Sequence, residues 1–135
     1  MEQQSVRTSK KTPPTSAQNP IRSAERTVNL LIELKDNDGA TSSELADSLG
    51  YSKAAVSNYM STLQDQGLVT ELDTGGYDVG LRLLDICNKS IRSRPLFTQG
   101  KDVVDDLATR FDGVITIMTV EHGYGYCLYT NTTED

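Results

Sequence analysis

The sequence is poor in the residues that catalytic and metal sites require. Its 135 residues include one histidine, two cysteines and no tryptophan. Cys87 and Cys127 lie in different predicted elements with only His122 as a further ligand, which is short of the four ligands of a structural zinc site. No nucleophile pattern and no pair of acids accompanies His122. We therefore predict no enzyme, no metal and no cofactor, and two reduced, partly buried cysteines.

Long apolar runs and an excess of positive charge are also absent. No run approaches the ~18 residues that span a bilayer, and no secretory signal is present, so a cytoplasmic protein without a membrane partner is expected. Thirteen Lys and Arg against nineteen Asp and Glu give a net charge of −6, which counts against DNA binding because DNA-binding domains are usually basic. The same balance suits concentrated salt, where phosphate attraction is screened, so a halophilic archaeon is the predicted source.

The first 20 residues differ from the rest in composition. They are rich in Ser, Thr, Gln, Lys and Pro and lack periodic apolar residues, which predicts a disordered tail. The segment contains three basic residues, Arg7, Lys10 and Lys11, and one acidic residue, Glu2. The tail is predicted to be either a basic arm on DNA or an inert solvated segment.

A helix, a tight turn and a second helix are predicted between residues 41 and 67. Thr41 and Glu44 have the spacing of a capping box, which satisfies amides at a helix start. Gly50 supplies the permissive backbone of a sharp turn, and Ser52 can cap the following helix until Gly67 stops it. The apolar stripe of that second helix is Val56, Met60 and Leu63. This pattern predicts a helix-turn-helix.

The face opposite that stripe is small and polar, which favours a helix that enters the major groove of DNA. Short side chains let the backbone approach the bases, and asparagine can pair with adenine through two hydrogen bonds. Ser57 and Asn58 are the predicted base readers, while Lys53 and Tyr59 suit phosphates. The predicted DNA-contacting set is Ser42, Ser52, Lys53, Ala54, Ser57, Asn58, Tyr59, Ser61, Thr62, Thr74 and Gly75. A solvated helix face is the alternative for each residue.

Residues 68–79 carry a strand–turn–strand pattern, with Gly75 and Gly76 relieving the turn. Following a helix-turn-helix, this hairpin is the predicted wing of a winged helix. Its tip has no Lys or Arg, so Thr74 and Gly75 are predicted to touch a phosphate only weakly, through a hydroxyl and bare backbone amides. A purely structural hairpin is the alternative.

An earlier helix is predicted to be the packing base of this unit. Ser23 can cap it, and it is expected to end near residues 37–39. Its predicted buried face consists of Val28, Leu31 and Ile32, widened by Leu30 and Leu34.

Together these segments resemble the IclR family of prokaryotic transcriptional regulators. The resemblance covers most of residues 21–130, and its most discriminating piece follows the wing. The segments that carry it are Ser23-Ala-Glu-Arg26 through Leu34, Thr41-Ser-Ser-Glu-Leu-Ala46, Gly50-Tyr-Ser-Lys53, Val56, Leu63, Gly67-Leu-Val69 and Tyr77-Asp-Val-Gly-Leu-Arg-Leu-Leu84. The resemblance implies a winged helix joined by a linker helix to a GAF-like α/β effector domain, acting as a homodimer on double-stranded DNA.

The remainder of the chain fits the start of such a second domain. Leu81, Leu84 and Ile91 continue at helical spacing and form the predicted dimerisation stripe of a linker helix. A further amphipathic helix and two strands, 114–120 and 126–130, follow around a turn at 122–125. The apolar face of that helix is predicted to be Val103, Val104, Leu107, Ala108 and Phe111.

We therefore predict an α+β chain in four parts. These are a tail over 1–20, a winged helix-turn-helix over 21–80, a linker helix over 81–94 and a truncated effector domain over 95–135. One helix and one hairpin cannot bury a full core, so the chain is expected to be a fragment or short product of a longer regulator, or to pack its last part on the winged helix or on a second copy. By the resemblance, a small-molecule effector would act only on a full-length form.

The predicted function is a sequence-specific DNA-binding regulator. Two alternatives stay open. One is a dimerisation or protein-interaction module that pairs with a full-length regulator, which the acidic surface would suit. The other is a fragment of a ligand-sensing domain from residue 96 onward.

Overall fold

The computed structural model describes residues 18–132, so the predicted tail lies outside the described part except for its last three residues. The chain divides into two compact units. The first is Ala17–Cys87, and the second begins at Asn88.

The first unit contains three helices and a small hairpin. The helices are α1 (Arg22–Asp36), α2 (Ser42–Leu49) and α3 (Lys53–Asp65). Strands β1 (Val69–Glu71) and β2 (Tyr77–Val79) pair antiparallel, with Val69 opposite Val79 and Glu71 opposite Tyr77. A fourth helix, α4 (Arg82–Arg92), begins in this unit and continues past Cys87.

The core of this unit lies where the three helices and β1 meet. Helices α1 and α3 contribute residues at i, i+3 or i+4 spacing, which places them on one face, and α2 contributes the adjacent Leu45 and Ala46. The buried residues are Leu30, Leu34, Ala40, Leu45, Ala46, Val56, Met60, Leu63 and Val69. The predicted stripe of α3 is confirmed, because Val56, Met60 and Leu63 are at most 5% exposed.

The prediction for α1 is wrong in its cap and only partly right in its face, because the expected Leu30 and Leu34 are buried and Leu31 packs against the core. The N-cap is Ile21, without a side-chain hydrogen bond, and Ser23 lies inside the helix. Leu30 and Leu34 are fully buried, whereas Val28 is 53% and Ile32 is 46% exposed. Both pairs have i, i+4 spacing, so periodicity alone does not distinguish the two faces. The helices packed against α1 select the Leu30 face.

A residue between α1 and α2, Ala40, forms an isolated β-bridge with the wing. The amide of Ala40 donates to the carbonyl of Tyr77 at 2.9 Å, and the amide of Tyr77 donates to the carbonyl of Ala40 at 2.8 Å. This isolated bridge fixes the base of the hairpin to the start of α2. The wing is therefore held by the helix-turn-helix at two places, the end of α3 and residue 40.

The second unit packs one helix against a long hairpin. Helix α5 (Pro95–Arg110) precedes β3 (Val114–Glu121) and β4 (Tyr124–Thr132), which pair antiparallel with a bulge at Ile117/Met118. The turn is shorter than predicted, because only His122 and Gly123 lie outside the strands. Both have positive φ, 51° and 80°, as a two-residue type I′ turn requires.

Helix α5 contacts the hairpin through a narrower face than predicted. Val104 and Ala108 are buried, but Val103 is 57% and Phe111 is 58% exposed. Phe111 already has extended backbone at the helix C-cap, so its side chain leaves the helical face. The observed stripe therefore has i, i+4 spacing from Val104. The prediction is confirmed for Val104 and Ala108 and is wrong for Val103 and Phe111.

A polar cluster fastens α5 to β4. The carboxylate of Asp105 accepts hydrogen bonds from the Tyr129 hydroxyl and the Asn131 amide, both at 2.7 Å, and pairs with the Lys101 ammonium at 2.6 Å. These donors lower the pKa of Asp105 to about 2, with Lys101 making the largest contribution. The Tyr129 ring also meets Phe97 edge-on, with 5.8 Å between centroids. The pKa of Lys101 is raised, first by Asp105.

The described elements confirm the predicted α+β class. The cysteines correct one prediction, because Cys87 is exposed while Cys127 is half-buried. Within residues 18–132 no helix is long and apolar enough to cross a membrane.

Candidate nucleic-acid interface

Local hydrogen bonds set the start of α2. The Thr41 hydroxyl accepts from the Glu44 amide at 3.2 Å, and the Glu44 carboxylate accepts from the Thr41 amide at 2.7 Å. The predicted capping box is therefore confirmed. The backbone amide of Thr41, followed by its side chain, lowers the pKa of Glu44, because a hydrogen bond donated to a carboxylate favours its charged form.

The turn between α2 and α3 follows equally local rules. Gly50 has φ 67° and ψ 29°, a left-handed conformation that costs residues with a Cβ free energy. The Tyr51 amide then donates to the carbonyl of Ala46 at 3.1 Å. Ser52 caps α3, since its hydroxyl accepts from the Ala55 amide at 3.2 Å. These contacts fix where the second helix begins.

The face of α3 opposite its buried stripe is open to solvent. The exposed residues there are Ser52, Lys53, Ala54, Ser57, Asn58, Ser61 and Thr62. No side chain longer than asparagine stands on the central part of this face, between Ala54 and Ser61. We call the residues Ala54, Ser57, Asn58 and Ser61 the reading face. A backbone can approach the edges of bases along it.

Two members of the predicted contact set have other partners. Tyr59 is half-buried and packs against the hydrophobic core, so its ring is not a free surface group. The Thr62 hydroxyl donates to the backbone carbonyl of Asn58 at 2.8 Å, as threonines inside helices often do. Ser42, in the first turn of α2, is half-buried.

The wing is less suited to phosphate than predicted. Thr74 and Gly75 are exposed at its tip, but the Gly75 amide donates to the carbonyl of Leu72 at 2.9 Å. The prediction of bare amides is therefore wrong at Gly75, because the tight turn uses that donor itself. Exposed carboxylates at Glu71 and Asp73 add negative charge beside the tip, which disfavours a phosphate there.

Cations are few in this unit, and two are already engaged. Residues 18–87 contain five Lys and Arg against eleven Asp and Glu. Lys35 pairs with Asp36 at 2.8 Å, and the Arg82 guanidinium donates to the carbonyl of Gln66 at 2.7 Å. Arg22, Arg26 and Lys53 form no ion pair among the described residues.

One cluster of side chains beside α3 was not predicted from the sequence. The Arg26 guanidinium lies over the Tyr51 ring, 4.8 Å from its centroid, and the Asn29 amide donates to the Tyr51 hydroxyl at 3.1 Å. Arg26 and Asn29 are one helical turn apart on α1, while Tyr51 directly precedes the cap of α3. The only signal was an aromatic residue in the turn, and no local rule links it to residues over twenty positions away.

The residues predicted to form the dimer interface are largely exposed to solvent. Leu81 is 81% and Leu84 is 47% exposed, while Ile91 is half-buried. Leu81 lies just before α4 begins. Among residues 18–132, no three His, Cys, Asp or Glu side chains are grouped so that they could hold a metal ion.

Comparison with known proteins assigns this helix-turn-helix to a known domain family. The model of the IclR helix-turn-helix domain matches residues 23–73, which hold α1, α2, α3 and β1. Residues 23–73 are an IclR helix-turn-helix domain. The prediction of an IclR-type winged helix is thus confirmed.

A relative from a haloarchaeon matches the chain beyond that domain. The chain is 29% identical over 115 residues to "Probable HTH-type transcriptional regulator ArcR" of Halobacterium salinarum, and the match covers 85% of this chain and 44% of the relative. The chain therefore spans less than half the length of that protein.

Solved IclR structures share the fold. IclR of Thermotoga maritima superposes with a TM-score of 0.68 at 18% identity, covering 84% of this chain and 46% of the other. An IclR-family regulator of Brucella abortus gives 0.71 at 16% identity, covering 91% and 49%. HmgR of Pseudomonas aeruginosa gives 0.68 at 17%, covering 85% and 50%. These matches span both compact units, so the IclR-like fold is not confined to residues 23–73.

Proposed function

We propose that the chain is a sequence-specific DNA-binding transcriptional regulator that reads the major groove with α3. The observation that carries this proposal is the reading face, which is small, polar and solvent-exposed on a helix whose opposite side is fully anchored in the core. The match of residues 23–73 to the IclR helix-turn-helix domain supports the same conclusion. Double-stranded DNA is the proposed partner, and the cytoplasm is the expected location.

Within this proposal, Asn58 is the principal base reader and Ser57 its neighbour. Both are exposed in the N-terminal half of α3, the half that leads into a groove. Asparagine can donate to and accept from adenine at once, and such a pair distinguishes bases by about 1–3 kcal/mol. Lys53, in the first turn, is the proposed phosphate contact, which positions the helix without reading sequence.

The acid excess of the winged helix sets the conditions in which it would act. Concentrated salt screens both the repulsion from carboxylates and the attraction to phosphates. Base contacts are hydrogen bonds at short range and are less affected. We propose that this chain is adapted to high salt and depends on base readout more than on phosphate attraction. Its relative comes from a haloarchaeon, which agrees with this proposal.

The test is binding measured by fluorescence anisotropy. A pool of random duplexes is first selected against the full chain in 1 M KCl, and the selected duplex and a scrambled version are then titrated from 0.1 M to 2 M KCl. We expect the selected duplex to bind more tightly at every salt concentration. Equal affinity for both duplexes throughout would contradict sequence-specific binding.

Single substitutions then separate readers from positioning residues. Asn58→Ala should lower the preference for one base position by about 1–3 kcal/mol, whereas Lys53→Ala should weaken binding to both duplexes alike. Gln64→Ala is the matched control, because Gln64 is an exposed amide in the last turn of the same helix. If Asn58→Ala and Gln64→Ala behave alike, Asn58 is not a reader.

We further propose a homodimer that uses the stripe of Leu81, Leu84 and Ile91. Exposed leucines at this spacing suit a helix–helix seam, and a dimer would place two reading helices on half-sites about one helical turn or more apart. Leu84→Asp should shift the sedimenting mass toward monomer. Ile86→Asp is the control, since Ile86 is 58% exposed but lies on the other side of α4. A similar effect of both substitutions would exclude this stripe.

The charge balance also favours a second candidate, a protein-interaction module that pairs with a longer regulator. Eleven acids against five cations in residues 18–87 would suit a chain that never meets DNA directly. In that case the titrations would detect no duplex binding at any salt concentration, while the Leu84 stripe would still be required for association. A small-molecule effector is proposed only for a longer form of the protein.

A further inference from the structure

The cluster of Arg26, Asn29 and Tyr51 joins α1 to the residue before α3. A guanidinium 4.8 Å from the centroid of a tyrosine ring is within the distance of a cation–π contact. The Tyr51 hydroxyl is held at 3.1 Å by the Asn29 amide, so the ring is fixed at both its face and its tip. Two residues of one helix thus hold an aromatic ring whose next neighbour in the chain, Ser52, is the N-cap of α3.

We propose that Arg26, stacked on Tyr51, binds a phosphodiester of the DNA next to the leading end of α3. This inference rests on the proposed function and adds a contact that Lys53 alone does not supply. The ligand chemistry is a backbone phosphate, recognised by the planar fork of the guanidinium. Tyr51 is the residue that positions it.

The contact with Tyr51 does not use the N–H donors of Arg26 in any hydrogen bond or ion pair among the described residues. A guanidinium carries five N–H donors in one plane, which suits a planar oxyanion. No carboxylate among the described residues forms an ion pair with Arg26. Within residues 18–132 the guanidinium is therefore held in place by the ring and unpaired, which lowers the entropy lost when it binds a phosphate in bidentate fashion.

The other cations of this unit are less suited to the same task. Lys35 is paired with Asp36 at the far end of α1, and Arg82 donates to the carbonyl of Gln66 at the C-terminal end of α3. The wing tip carries acids instead of cations. Of the five cations, Arg26 is the one that the structure ties to the residue beside the recognition helix.

The test compares the salt dependence of DNA binding in matched variants. Each phosphate contact contributes about 0.9 to the slope of log K against log salt concentration. Arg26→Gln should lower that slope by about one and weaken binding roughly tenfold or more in low salt, equally for selected and random duplexes. Lys35→Gln makes the same change in net charge about 13 Å away along α1 and should leave the slope nearly unchanged.

Variants of the ring distinguish a phosphate contact from a merely structural stack. Arg26→Lys keeps the charge but loses the planar fork, so it should keep most of the slope and part of the affinity. Tyr51→Leu should weaken binding, and adding Arg26→Gln to it should then have little further effect, because the guanidinium is no longer positioned. Tyr51→Phe keeps the ring and should bind nearly as the unchanged chain does.

Thermal unfolding of each variant is followed in parallel. A lower melting temperature of Arg26→Gln with an unchanged salt slope would overturn the inference, since Arg26 would then only stabilise the fold. Equal salt slopes for Arg26→Gln and Lys35→Gln would overturn it as well. Failure of the unchanged chain to bind any duplex would overturn the proposed function itself, and with it this inference.

Discussion

Gly80 is the glycine whose substitution by alanine should lower the free energy of unfolding most. A Cβ built there would lie 2.9 Å from the backbone carbonyl carbon of Leu68 and 3.0 Å from that of Gly67, and it would collide with the Gly67 carbonyl oxygen. The Gly80 amide also donates to the carbonyl of Leu68 at 2.8 Å. Since every atom it would meet is backbone, no side chain can rotate away.

The cost of Gly80→Ala follows from these contacts. Forcing a methyl group into packed surroundings costs about 1–3 kcal/mol, and weakening the hydrogen bond to Leu68 adds about 0.5–1.5 kcal/mol. We therefore expect the free energy of unfolding to fall by about 2–4 kcal/mol. For a unit of this size, that lowers the melting temperature by about 10–30 °C. The end of β2 would move away from the end of α3, which displaces the wing.

The assay is urea denaturation followed by circular dichroism, with Gly75→Ala as the matched control. Gly75 lies in the same hairpin with φ +89°, and a Cβ there would meet nothing within 4 Å. Its substitution therefore adds only the strain of a positive φ, about 1 kcal/mol. If Gly80→Ala destabilises the chain no more than Gly75→Ala does, the close backbone approach is not what requires glycine at position 80.

Two further predictions concern a cap and a titrating group. Thr41→Ala removes the hydroxyl that accepts from the Glu44 amide and should lower the free energy of unfolding by about 1 kcal/mol; an unchanged urea midpoint would contradict this. The pKa of Asp105 is lowered to about 2, first by Lys101, so its stabilisation is present above about pH 4 and is lost as the pH falls toward 2. Asp105→Asn should flatten the loss of melting temperature over that range, and an equally steep loss in both proteins would argue against it.

Sequence reasoning placed α2 and α3 well because their boundaries depend on neighbouring residues. The capping box of Thr41 and Glu44, the left-handed Gly50 and the cap at Ser52 are all completed within four positions. Such signals do not depend on tertiary contacts. The same reasoning located the hairpin, because glycines near its tip permit a tight turn.

Features fixed by distant contacts could not be predicted in the same way. Helix α1 has apolar residues on two faces, so burial of Leu34 instead of Ile32 depends on what packs against it. The β-bridge formed by Ala40 involves a single residue and has no periodicity to detect. Arg26 and Tyr51 are 25 positions apart, and only the packing of α1 against the turn brings them together.

The charges of the winged helix limit how its affinity for DNA can arise. Of five cations in residues 18–87, two are engaged within the fold, which leaves three, Arg22, Arg26 and Lys53, for phosphates. At about 0.9 per contact, the salt slope is then at most about −3 for one chain and about −5 for a dimer.

A steeper measured slope would have to come from cations outside this unit. Arg7, Lys10 and Lys11 in the tail could supply them, so removing residues 1–17 would distinguish an arm on DNA from an inert segment. A slope within the limit has a different consequence. Phosphates would then supply little affinity in concentrated salt, and discrimination would rest on Asn58 and its neighbours, where one lost hydrogen-bonding pair costs a large share of specific binding.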